Sequence, residues 1–142
     1  MSESAPPHPQ PPYNPKALAR GAKNYGEEYT KRLLDRMNAI DPEFSQLFQA
    51  FVYGGLYDRD VIDHKTRELC AVAGLVVGGY FPQLRAHFEA CRRYGATDEE
   101  IREVILQMSV YASMPAALTA LNEFESYRAA ENPVLGFGDP GN

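Results

Sequence analysis

The sequence predicts an all-α fold, a small bundle of about six to seven helices. Three observations carry that expectation. Apolar residues recur at helical spacing, as in the i, i+3, i+4, i+7 series of Leu84, His87, Phe88 and Cys91. Helix-start signals stand ahead of these stretches and glycines stand behind them. No segment alternates apolar and polar residues in the way a half-buried strand requires.

The elements follow in order. Residues 1–14 form a Pro-rich tail with few large apolar groups, which cannot offset its own ordering entropy. The helical domain is expected over residues 15–130, with residues 131–142 as a C-terminal tail. Asn14-Pro15 pairs a capping side chain with proline at the first helical position. The helical stretch that follows runs to about Asn38 and is interruptible between Gly21 and Gly26. Asp41-Pro42 repeats the start signal ahead of Phe44, Leu47, Phe48 and Phe51, and Gly54-Gly55 ends that helix. Asp63 can cap the next one, whose residues 69–77 are apolar all round and should be the most buried in the bundle. Gly78-Gly79 stops it. The helix of Leu84 to Cys91 ends at Gly95, and Thr97 with Glu100 forms a capping box ahead of Ile101, Val104, Ile105 and Met108. Pro115 opens a last helix through Leu118, Leu121 and Tyr127, which Asn132-Pro133 ends.

Bulk properties narrow the function. At 142 residues the chain is one domain. Lys plus Arg number 14 against 19 Asp plus Glu, a net charge of −5, and no basic block appears, so a nucleic-acid surface is disfavoured. Residues 69–77 are too few to span a bilayer, and the N-terminus lacks the charged-then-apolar order of a secretory signal. The expected location is cytoplasmic. Cys70 and Cys91 form no CxxC and read as small apolar groups in helix interiors.

Three polar residues stand inside apolar helical patterns: Glu68, Arg85 and His87. Glu68 precedes Leu69 at the edge of a buried face, where partial desolvation would suit it to proton transfer. The alternatives are a plain ion pair with Lys65, Arg67 or Arg85, or simple exposure near the helix start. His87 is the natural acid–base group near neutral pH, or else a core histidine bonded to a backbone carbonyl or to Tyr111. Arg85 could grip a substrate carboxylate with its planar fork, or be a solvated helix charge. His64 and Glu68 share a helix face at i, i+4, and His87 could complete a metal site, but this spacing is common by chance. No metal is assigned.

These residues sit in longer motifs. The chain resembles the carboxymuconolactone decarboxylase family through Thr66-Arg67-Glu68-Leu69, Leu84-Arg85-Ala86-His87, the run from Gly95-Ala96-Thr97-Asp98 to Val104, Val110-Tyr111-Ala112 and Pro115-Ala116-Ala117. The resemblance covers about residues 15 to 128. It implies an alkyl hydroperoxidase D-like helical fold, a homo-oligomer (trimer or hexamer), a small-molecule substrate, no cofactor and a place in aromatic compound catabolism. The family's thiol-peroxidase branch carries a CxxC just before the histidine. Tyr80 and Gln83 occupy those two positions here, so that chemistry lacks its thiolate. The decarboxylase branch implies His87 as a catalytic residue, with Arg85, Tyr80 and Tyr111 against the substrate, and Glu68, which matches the proton-relay glutamate of the peroxidase branch, is the second catalytic candidate. Its type reaction removes carbon dioxide from 4-carboxymuconolactone. The chain departs from that branch in having Glu68 where a small polar residue is usual, Ser113-Met114 in place of a Gly-Leu type pair, and no tryptophan. The substrate therefore stays open, as does a non-catalytic domain that binds a small acidic metabolite.

Overall fold

A computed structural model describes residues 12–130 as an all-α bundle with no strand among them. Seven α-helices follow one another: α1 (Pro15–Tyr25), α2 (Glu27–Ile40), α3 (Pro42–Phe48), α4 (His64–Gly78), α5 (Leu84–Arg93), α6 (Asp98–Tyr111) and α7 (Met114–Ala129). A π-helical turn (Gln49–Tyr53) extends α3, and two 3₁₀ turns, Leu56–Asp58 and Phe81–Gln83, lead toward α4 and into α5. Neither 3₁₀ turn was expected from the sequence. The proposed stop at Asn132-Pro133 lies outside the described residues.

The local start signals act as read. The Asn14 side chain accepts from the Lys16 and Ala17 amides, Asp41 from Phe44, Asp63 from Thr66, and Thr97 with Glu100 closes a reciprocal capping box. The break between α1 and α2 falls at Gly26, whose φ of 92° is open to glycine and strained for other residues.

Two cores form, and α5 is the wall between them. On one side Leu84, Phe88 and Cys91 pack with Val72, Val76, Ile101, Ile105, Ala120, Phe124 and Tyr127 from α4, α6 and α7. On the other, Ala86 and Ala90 face Ala17, Tyr25, Tyr29, Tyr53 and Tyr57. The two alanines stand one turn apart, and their small side chains let α1 approach α5 closely. Glu68 and His87 lie at this seam.

Three expectations are corrected. Helix α4 is not buried all round: its buried residues are Glu68, Val72 and Val76, while Cys70, Gly74 and Val77 face outward. With α5 and α6 covering only part of its circumference, an apolar stripe is left bare. Cys70 is therefore exposed, whereas Cys91 is buried. Just after α3, Tyr53 lies inside the tyrosine core, whereas Phe44 and Phe51 are exposed. On α7 the buried face is Ala117, Ala120, Phe124 and Tyr127, and Leu118 points outward.

The α1–α2 contact is tight at one point. A Cβ on Gly21 would lie 2.3 Å from Thr30 Cγ2 and 2.7 Å from its Oγ1. Thr30 is fully buried, and its hydroxyl donates to the Gly26 carbonyl at 2.8 Å, so it cannot step aside freely. Gly21→Ala is expected to destabilise the chain by about 1–3 kcal/mol despite alanine's better helix propensity. A urea titration that left the midpoint unchanged would contradict this packing.

Candidate active site

The site is built from the seam upward. Glu68 is on α4 one turn after His64, on the face that meets α5, and its side chain is fully buried. His87 faces it from α5. The imidazole Nδ1 lies 2.7 Å from Glu68 Oε2, and the His87 side chain keeps 19% of its surface exposed. An ionised carboxylate can only accept, so opposite an ionised Glu68 the hydrogen in this contact belongs to Nδ1. That leaves Nε2 as the nitrogen available to a ligand. A buried acid bonded to a half-buried imidazole is an acid–base pair with one end open to solvent.

The other Glu68 oxygen, Oε1, accepts from Asn24 Nδ2 at 3.4 Å. Asn24 is itself fully buried, and its carbonyl accepts from the Tyr94 hydroxyl. Sequence reading missed Asn24. Its signal was present, since it stands three and seven residues after Gly21 and Ala17, the small residues on the buried face of α1.

Tyrosines wall the site. The Tyr25 ring stands edge-on to His87 with centroids 5.7 Å apart, and its hydroxyl accepts from Tyr53 at 3.4 Å. Tyr53 in turn packs on Tyr57 at 5.5 Å. Burial, reinforced by the nearby Glu68 charge, pushes the Tyr25 and Tyr57 hydroxyls well above the ordinary phenol range. Burial does the same to Tyr53, against a lowering from its bond to Tyr25. All three are neutral hydroxyls at physiological pH, and the wall carries no second negative charge.

The other sequence candidates lie elsewhere on the chain. Arg85 is nearly buried, but it points to α7: its Nη2 donates to Ser126 Oγ at 2.6 Å, and its Nε is 3.7 Å from Glu123 Oε2. Tyr80 and Tyr111 are exposed, and neither bonds to or stacks on His87 or Glu68. His64 stacks on Tyr94 with centroids 4.9 Å apart and does not join the other two as a ligand set. Among the described residues no three His, Cys, Asp or Glu side chains are gathered as a metal site would need. An apolar groove of about 400 Å³ between α4 and α6 is lined by Leu69, Cys70, Ala73, Val104 and Met108. It opens on the face of α4 turned away from Glu68 and offers no histidine, so the acid–base pair marks the better candidate site.

A small all-α protein with a buried glutamate–histidine pair and a tyrosine wall is thereby defined. The chain belongs to the carboxymuconolactone decarboxylase family, whose model matches residues 42–126. It is similar to the 4-carboxymuconolactone decarboxylase of Acinetobacter baylyi, 33% identical over 100 residues, which are 70% of this chain and 75% of that protein. It is also similar to the nitrosuccinic acid decarboxylase of Metarhizium robertsii, 28% identical over 97 residues, 68% of this chain and 67% of that one. An uncharacterized 15.0 kDa protein of Paracoccus denitrificans is 37% identical over 82 residues, 56% of this chain and 61% of its own length. The family and the two relatives named as decarboxylases support a decarboxylase-like function. Asn24 and Tyr25 fall outside the matched span, so α1 adds to the site from beyond it.

Proposed function

We propose that the chain is a cofactor-free decarboxylase of a small carboxylated lactone or related acid, with His87 and Glu68 as its acid–base pair. The observation that supports this most directly is the 2.7 Å contact between a fully buried carboxyl and a solvent-reaching imidazole. Two relatives named as decarboxylases, one of a lactone acid and one of a nitro acid, support the reaction type.

The chemistry needs little more. In a 4-carboxymuconolactone-like substrate the C–CO₂⁻ bond breaks, carbon dioxide leaves, and the electron pair delocalises through the ring alkene onto the lactone carbonyl. A hydrogen-bond donor must hold that developing oxyanion, and an acid must then protonate carbon. Protonated His87 can donate from Nε2 in either role, with the imidazolium stabilised by Glu68 on its Nδ1 side. The Tyr25 and Tyr57 hydroxyls are neutral and do not repel a carboxylate. His87 is recharged by a proton from water once product leaves.

Tyr80 and Tyr111 enter this reading through a homo-oligomer, trimer or hexamer, in which a second copy brings exposed side chains to the dyad, while Arg85, nearly buried against Ser126 and Glu123, ties α5 to α7. Phe51, Val110 and Tyr111, each bare over about 70% of its surface, supply apolar area for such packing. No described helix is long and apolar enough to cross a membrane.

The test is carbon dioxide release by the purified chain from 4-carboxymuconolactone and, separately, from nitrosuccinate. Turnover of either is the expected result. Binding of both without any release at high protein concentration would replace this reading with a non-catalytic metabolite-binding domain.

A further inference from the structure

The contacts behind Glu68 run in one direction. Arg20 Nη1 donates to the Tyr94 hydroxyl oxygen at 3.1 Å. A guanidinium has donors and no acceptor, so the tyrosine oxygen must accept, and its single hydrogen is left for Asn24 Oδ1. Asn24 then has its carbonyl turned to Tyr94 and its amino group turned to Glu68 Oε1, the 3.4 Å link that is the longest of the series. The opposite amide orientation would set two acceptors face to face at Glu68 and two donors at Tyr94. Opposite an ionised Glu68, Oε2 accepts from His87 Nδ1. Arg20 makes no ion pair among the described residues, and its Nη1 is turned to Tyr94. Its charge is directed into this chain of bonds.

We infer that Arg20, Tyr94 and Asn24 are positioning residues whose one-way donor series fixes His87 with its hydrogen on Nδ1, leaving Nε2 as the nitrogen that takes and gives the proton. The consequence for catalysis rests on the decarboxylase reading above. The hydrogen placement itself does not, because it can be read without substrate.

The experiment is ¹⁵N NMR of the His87 ring in the full-length protein, followed into alkaline buffer until the ring signals stop changing. The chain has only three histidines, and the His64 ring, stacked on Tyr94, serves as an internal check on local packing. In the parent the Nδ1–H form is expected to exceed the Nε2–H form by about tenfold or more, the factor a charge-assisted bond supplies. Glu68→Gln is the decisive variant. With the donor series intact, Asn24 holds the new carbonyl oxygen and turns the new amino group to Nδ1, so the tautomer inverts to Nε2–H. Tyr94→Phe keeps the ring and removes the directing hydrogen, and in combination with Glu68→Gln it should undo the inversion. Arg20→Met should weaken the parental preference several-fold, and Arg20→Lys, which also only donates, should restore most of it. Retention of Nδ1–H in Glu68→Gln would overturn the inference. So would an unchanged ratio in both Tyr94→Phe and Arg20→Met with the His64 signals undisturbed. If the tautomer behaves as expected and no acid is decarboxylated, the positioning stands and the proposed reaction falls.

Discussion

A His87→Asn variant is expected to fold like the parent and to lose about 10²–10⁴-fold in kcat/KM for decarboxylation, the range a positioned acid–base group supplies. Asparagine suits this test because its amide N–H can occupy the place of Nδ1–H and keep a bond to Glu68 Oε2. It removes Nε2 and the titrating ring while leaving the buried carboxylate satisfied. His87→Ala would confuse two effects, since Glu68, fully buried, would also lose a partner at about 1–3 kcal/mol. Steady-state carbon dioxide release with thermal denaturation alongside separates them. Equal kcat/KM for the Asn variant and the parent would show that the imidazole is not the acid.

The fold was legible because helix boundaries are written locally. Each cap involves residues two or three apart: Asn14 to Lys16 and Ala17, Asp41 to Phe44, Asp63 to Thr66, Thr97 to Glu100. Burial around α4 was less legible, because an apolar run does not say how many neighbours it will have. Cys70 and Val77 match the core in composition and still face outward.

The site divides the same way. Glu68 and His87 stood out as polar residues within apolar patterns, and the structure pairs them across 19 residues of sequence. Their supports come from far away: Asn24 is 44 residues from Glu68, and Tyr94 is 70 from Asn24. No periodicity encodes such pairings, since they depend on how α1 lies against α4 and α5. Arg85 shows the converse. Its neighbourhood in sequence pointed to substrate, but the helical rotation of two residues from His87 turns it to Ser126 and Glu123 on α7. Within one chain it ties helices together.

The other large effect concerns the wall that holds His87 in place. Phe88→Ala is expected to cost about 3–5 kcal/mol, the usual range for truncating a buried phenylalanine. Phe88 is fully buried and meets Phe124 edge-on at 4.9 Å and Tyr127 at 5.6 Å, so truncation opens a cavity and removes two aromatic contacts. Small domains have about 5–15 kcal/mol of stability in total, and this single change would consume much of it. Collapse around the gap is limited, because Phe124 and Tyr127 are themselves stacked at 6.1 Å and covered by Arg92 and Arg128. Phe88→Leu fills most of the space and should lose far less. Because Phe88 follows His87 on α5 but faces the opposite core, its loss should lower the denaturation midpoint while the surviving folded fraction keeps its kcat. A proportional fall in kcat for the folded Leu variant would instead mean that α5 shifts as a unit, and that the Glu68–His87 distance depends on both cores at once.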